Sequence, residues 1–259
     1  MGKRDRDFDK LQGHWLLAAL GKKVLRPGGR ALSNWMVDNA AIPGARVVEL
    51  APGLGVTAAE ILHRNPASYT GIDEDLDAVS QAAAVVGNRG VIKQGRAQDT
   101  GLADASADLI IGEAMLTMQG DKTKGAILEE AARILAPGGR YAIHELALTP
   151  DDLPESTKDD LRKALARSIR VNARPLTVAE WIALFEEHGF EVTAHKVAPM
   201  GLLNPKQMLA DEGVKGVATI LGNLIRHPAA RKRVLDMRST FSAHKDELAA
   251  VSLIARRAG

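Results

Sequence analysis

The chain contains no cysteine among its 259 residues, and only nine aromatics: three Trp, two Tyr and four Phe. The first absence removes thiolate nucleophiles and zinc sites held by thiolates. The second leaves little with which to stack nucleic-acid bases. Neither sign of charge dominates, since 34 basic residues face 32 acidic ones, so no polyanionic partner is implied. The basic run Arg226, Arg231, Lys232, Arg233 and Arg238 therefore reads as a solvated helix face. No apolar run approaches the roughly 20 residues needed to span a bilayer, and Met1 to Lys10 is charged throughout rather than signal-like. The expectation is a cytoplasmic protein with no membrane insertion. The histidines at 63, 188, 195, 227 and 244 lack any ligand spacing such as H-E-x-x-H, so no metal site is expected.

What the chain does contain is VVELAPGLGVTAAEIL, Val47 to Leu62, followed by YTGIDED, Tyr69 to Asp75. This reads as a buried strand, a glycine turn, a helix, and a second strand ending on an acid. Gly53 and Gly55 let the backbone turn sharply and lie against a ligand, which the free N–H groups of the following helix then face. Asp73 stands where a ribose diol is expected. Two cofactor classes fit. Gly53-Leu54-Gly55-Val56-Thr57-Ala58 satisfies a dinucleotide fingerprint, G-x-G-x-x-A, with Asp73 at about the expected 20 residues. Glu49, however, is an acid just before the turn; it would face a pyrophosphate badly and suits a ligand carrying an ammonium or sulfonium group.

On these residues the chain resembles the class I (Rossmann-like) S-adenosylmethionine-dependent methyltransferases, particularly those acting on small molecules. E-L-A-P-G-L-G is similar to their first motif and G-I-D-E-D to their second. A-D-L-I-I-G-E-A-M-L is similar to the strand and loop bordering the acceptor, and R-I-L-A-P-G-G-R-Y-A-I to the segment entering the fifth strand. The resemblance spans about residues 40 to 200. It departs from the usual pattern at Ala51, where the family favours glycine, and at Arg96, where an acid is often found. It implies S-adenosyl-L-methionine as cofactor, with S-adenosyl-L-homocysteine as product. Glu49, Ala51, Gly53 and Gly55 would cradle the methionine part, Asp73 the ribose, Ala97 and Gln98 the adenine edge. Glu113 would border methionine and acceptor. The partner is a small-molecule acceptor, and a homodimer is left open. Nucleic acid is not expected: without cysteine there is no thiolate for cytosine C5 chemistry or for holding arsenic, and Gly112-Glu113-Ala114-Met115 replaces the D/N-P-P-Y/F of base amino-methylating enzymes.

The alternatives belong to other classes. A nicotinamide oxidoreductase shares the glycine turn, but neither Tyr69 nor Tyr141 is followed four residues on by lysine; those positions are Asp73 and Glu145. A non-catalytic cofactor-binding or scaffold protein would keep the fold with a degenerate site.

The expected fold is α/β: a doubly wound, mostly parallel, seven-stranded sheet with helical additions. Strands are predicted at Val47–Leu50, Ser68–Ile72, Gly90–Gln94, Asp108–Ile111, Arg140–Leu146, Glu191–Val197 and Leu248–Ile254. Residues 1–45 would form an amino-terminal helical lid, with helices over Phe8–Leu25 and Leu32–Ala40, and 46–259 the Rossmann-like domain. Helical insertions at 151–170 and 205–244 would shape the acceptor pocket. Thr177-x-x-Glu180 is a capping box opening helix Val178–His188. His144 and Glu145, at the carboxyl end of the fifth strand, are the catalytic candidates. Because successive strand residues point to opposite faces, at most one should reach the pocket.

Overall fold

Four apolar runs, Arg46–Leu50, Ser68–Asp73, Ala107–Glu113 and Leu135–Leu148, form the buried part of a parallel sheet because each hides both faces, while Val91–Gln94 (VIKQ) is exposed at its edge. The computed structural model describes Phe8 and residues 10–258. The expected strands appear as β1 (Arg46–Leu50), β2 (Ser68–Asp73), β3 (Val91–Gln94), β4 (Ala107–Glu113), β5 (Leu135–Leu148), β7 (Phe190–Pro199) and β8 (Leu248–Arg257). Their order is β3-β2-β1-β4-β5-β8-β7, parallel through β5, with β8 antiparallel to both neighbours. An eighth strand was not expected. β6 is only Leu176–Thr177, pairing with the tail of β5 at Ala147 and Leu148. It lies where the capping box starts, and two residues are too few to show an alternating pattern.

Alternation along the strands divides the core. Val48, Leu50, Ile110, Tyr141 and Ile143 face one side, under Trp181, Phe185 and Phe190. Val47, Leu109, Ile111, Ala142 and Ile254 face the other, under Met36, Ile42 and Ile61. The helices covering these faces are α2 (Gly29–Asn39), α3 (Val56–His63), α4 (Leu76–Val86), α5 (Asp121–Ile134) and α7 (Val178–Glu187), the last opened by the Thr177 and Glu180 capping box.

A third cluster sits beyond the sheet, where the tail of β5 emerges. Leu146 and Leu148 meet Leu16, Leu17 and Leu20 of α1 (Gly13–Ala19), Leu161 and Leu165 of α6 (Glu155–Ile169), and Met237 and Phe241 of α9 (Pro228–Ala243). The amino-terminal segment and both insertions therefore pack together as one cap. α8 (Pro205–Arg226) runs into α9 across the His227-Pro228 break.

The amino-terminal helix is much shorter than expected. Within the described residues Phe8 is helical, the path breaks at Lys10–Gln12, and the rest of the Phe8–Leu25 prediction reduces to α1; residues 1–7 and 9 of the expected lid lie outside those described. Gly21, at φ 97°, ends the helical path. Beyond it, the N–H groups of Lys23 and Val24 donate to the Glu212 carboxylate at 3.0 and 2.9 Å, a tertiary partner that replaces the helical ladder.

Candidate active site

The strand order reverses between β1 and β4, the position in an open α/β sheet where ligands bind outside the carboxyl ends of the strands. A cavity of about 530 Å³ opens there, within the range of small-molecule sites. Glu49, Ala51, Gly53, Asp73, Ala97, Gln98 and Glu113 all line it. They come from β1 and the turn after it, β2, β4 and the loop after β3, so the topology gathers residues spread over 64 positions into one wall (113 − 49).

The turn after β1 is held in an uncommon backbone conformation. Ala51, Gly53 and Gly55 have φ of 55°, 55° and 73°. Left-handed backbone explains why glycine suits the first position, and Ala51 carries the strain of its Cβ there. The two glycines have different reasons to be small. A Cβ on Gly53 would meet nothing nearer than the Ala51 carbonyl at 4.0 Å, so that side of the turn is open. A Cβ on Gly55 would come within 3.1 Å of Val85 and 3.2 Å of the Ala82 backbone. Gly55 does not line the cavity; it lets α3 pack closely on α4, unlike the cradling role expected for it.

Asp73 fixes the turn. Its two oxygens accept from Gly53 N and Asp75 N, each at 3.1 Å, and burial raises its pKa against those bonds. Glu49 is buried at the end of β1. Burial pushes its carboxyl up to about 7, opposed by the Tyr69 hydroxyl, which donates at 2.5 Å, and by nearby Arg26. In the loop after β3, the Gln98 carbonyl oxygen accepts from Arg96 Nη2 and Nε at 2.8 and 3.0 Å once the amide is oriented to satisfy both groups. Arg96 thus stands beside Ala97 on the cavity wall where an acid was looked for.

Arg26 lies between the two expected amino-terminal helices and was not among the expected site residues. Its guanidinium enters the cavity, ion-pairs with Glu113 and donates to Thr57. Burial lowers its pKa to about 10, so it stays charged. Thr57 in turn donates to Glu113 Oε2 at 2.8 Å, while Glu113 Oε1 is buried without a hydrogen-bond partner. Nothing local marks Arg26, because its partners lie 31 and 87 residues away (57 − 26; 113 − 26).

The two catalytic candidates lie elsewhere: at most one was expected to reach the pocket, and neither does. His144 and Glu145 are fully buried and neither lines the cavity. They do point to opposite faces, but both faces are covered. His144 Nε2 accepts from Gly28 N at 3.1 Å, so Nδ1 carries the hydrogen directed at Ser33 Oγ, also at 3.1 Å. Burial, reinforced by Arg26, lowers its pKa to about 3 and keeps it neutral. Its role is to anchor the turn that presents Arg26. Glu145 accepts from the backbone N–H groups of Met115, Leu116 and Thr117 and from the Thr117 hydroxyl, fixing the loop after β4.

The side facing the cap supplies Gln12, His14 and Trp15 of the amino-terminal segment, together with Met118 and Thr123. His14 and Trp15 lie ring to ring at 5.3 Å, and burial lowers the His14 pKa. Among the described residues no group of His, Asp and Glu is placed to hold a metal ion, and no helix is long and apolar enough to cross a membrane.

Residues 48–143 match the family model described as a methyltransferase domain. An uncharacterized protein of Haemophilus influenzae is 31% identical over 251 residues, covering 95% of this chain and 98% of that one. Among solved structures, the MccD protein superposes with a TM-score of 0.72 at 19% identity, over 91% of this chain and all of that one. A phosphoethanolamine N-methyltransferase of Haemonchus contortus, solved with phosphomonomethylethanolamine and S-adenosylhomocysteine, superposes with a TM-score of 0.70 at 16% identity, covering 98% of this chain and 61% of that one. At these identities the structural matches speak for the fold.

Proposed function

We propose, from the premise that the chain belongs to the class I S-adenosylmethionine-dependent methyltransferases, that it methylates a small-molecule acceptor bound beside this cavity. The observation that carries the reading is the convergence of Glu49, Asp73, Glu113 and the open side of Gly53 on one cavity. Bound S-adenosylmethionine supplies a methyl group already activated on a sulfonium. The chain has to bind, orient and exclude water. Asp73 has lone pairs left for the two ribose hydroxyls. Glu49 suits the ammonium of the methionine part, and Arg26 suits its carboxylate. Ala97 and Gln98 border the adenine. The cap formed by the amino-terminal segment and the insertions serves as a lid. Isothermal titration with S-adenosylmethionine, S-adenosylhomocysteine and NAD tests this: micromolar binding of the first two without NAD is expected, and binding of NAD alone would replace the reading with an oxidoreductase.

The two glycines should separate. Both positive φ values penalise a Cβ by about 1 to 2 kcal/mol, so Gly53→Ala and Gly55→Ala both lower stability, the second more because Val85 and Ala82 are in the way. Only Gly53→Ala should weaken S-adenosylhomocysteine, by about tenfold or more, since its Cβ enters ligand space. Thermal melts alongside titration check it; equal affinity in the Gly53 variant would make the turn purely structural.

Glu49 predicts a pH dependence. Its folded pKa of about 7 lies above the ordinary 4.5, so the stability it contributes is present below about pH 4.5 and is lost as pH rises through about 7. A ligand ammonium favours the ionised form. Binding should therefore be about tenfold weaker at pH 6 than at pH 8 and should release up to about one proton near pH 6.5. Titration in buffers of different ionisation enthalpy measures this. Glu49→Gln should abolish the proton release; if the release persists, it comes from another group.

A further inference from the structure

Against the cofactor cavity lies a second, smaller chamber of about 70 Å³. The two share His14, Leu25, Ala114 and Met118, so they adjoin at those residues. The chamber is built by the cap: Leu17 of α1, Ile169 at the end of α6, Leu202 after β7, and Met237 and Phe241 of α9, closed below by Leu146 of β5. Of the thirteen described residues that line it, only His14 and Thr117 carry polar side-chain nitrogen or oxygen atoms. Thr117 is spoken for, because its hydroxyl donates to Glu145 Oε2 at 2.7 Å. His14 stands at the shared mouth, with its pKa lowered by burial. Among the described residues no lining residue bears a carboxylate, ammonium or guanidinium.

We propose that this chamber is the acceptor subsite and that it selects an uncharged apolar group of a few carbon atoms. The inference rests on the methyltransferase reading of the larger cavity. A charged group would lose its hydration in the chamber and find no partner there, which costs several kcal/mol. An alkyl group gains from burial instead, and the volume, below the roughly 150 Å³ of a dry cavity that takes benzene, limits it to a short chain or a ring edge. The atom that receives the methyl then stays at the mouth, beside His14 and facing the methionine side of the cofactor cavity. The acceptor class is an amphipathic molecule with a short apolar body and a neutral alcohol or amine head, in contrast to a compact zwitterion or a phosphate ester.

The experiment uses the full chain labelled with ¹³C-methyl methionine and saturated with S-adenosylhomocysteine, titrated with n-alkanols from ethanol to octanol. Met237 reports the chamber and Met118 its mouth. Affinity at the Met237 signal should grow about fourfold per added CH₂ and then level off once the chain outgrows the space. Leu202→Trp, in a loop away from the sheet, should abolish the chain-length dependence while S-adenosylhomocysteine binds within twofold of wild type. Phe241→Ala should move the plateau to longer alcohols, a gain that misfolding cannot imitate. No length dependence at Met237 in the wild type, unchanged binding in Leu202→Trp, or tighter binding of butylammonium or butyrate than of butanol would each overturn the proposal. Failure of wild-type protein to bind S-adenosylhomocysteine would instead sink the methyltransferase reading, leaving the alkanol result to decide the character of the chamber.

Discussion

Replacing Asp73 by alanine is expected to weaken S-adenosylhomocysteine binding by about 2 to 4 kcal/mol, or roughly 30- to 1,000-fold, because hydrogen bonds to a carboxylate are the strong ones and the ribose hydroxyls would be left unpaired. The substitution also removes the acceptor of Gly53 N and Asp75 N, so a stability loss of about 1 to 2 kcal/mol should accompany it. Asp73→Asn separates the two effects. The amide keeps one oxygen for the turn but cannot accept at both of its ends, so its melting temperature should approach wild type while affinity stays low. Wild-type affinity in the asparagine variant would remove Asp73 from the ribose site.

Glu145→Ala should cost stability rather than chemistry. Its carboxylate takes four hydrogen bonds of 2.7 to 3.0 Å in a fully buried position. Deleting it orphans three backbone N–H groups and a hydroxyl where water does not reach, for a loss of about 3 to 5 kcal/mol in urea unfolding. The loop after β4 should loosen at the same time, and cofactor affinity should fall with it, since Met115 and Met118 line the cavity. A variant as stable as wild type that still lost methyl transfer would restore Glu145 to the reaction and refute the anchoring role.

Residues that act with their own neighbours were legible in the sequence. The apolar runs at Val47 and Asp108 announced strands buried on both faces, and Thr177 with Glu180 announced a helix start. The spacing of Glu49, Gly53 and Asp73 announced a ligand turn, because strand period, capping and left-handed backbone are each settled within a few residues. Gly55 shows the limit of that signal: its small size is needed in the same turn, but for α4, 27 and 30 residues away (82 − 55; 85 − 55).

By itself, then, the amino-acid sequence determined the order of the seven main strands, the glycine turn and the acid at the end of β2. Only the tertiary structure decided which side chains face the cavity. His144 and Glu145 occupy the strand end where a reacting group was expected, and their alternation was foreseen, but the turn at Gly28 and the loop at Met115–Thr117 cover them from either side. Arg26 enters because its carboxylate partner comes from β4, and the apolar chamber exists because α1, α6 and α9 close over the tail of β5. The physical reason is that local conformation depends on energies shared among adjacent residues, whereas access, charge pairing and pocket shape depend on surfaces that distant segments bring together only after folding.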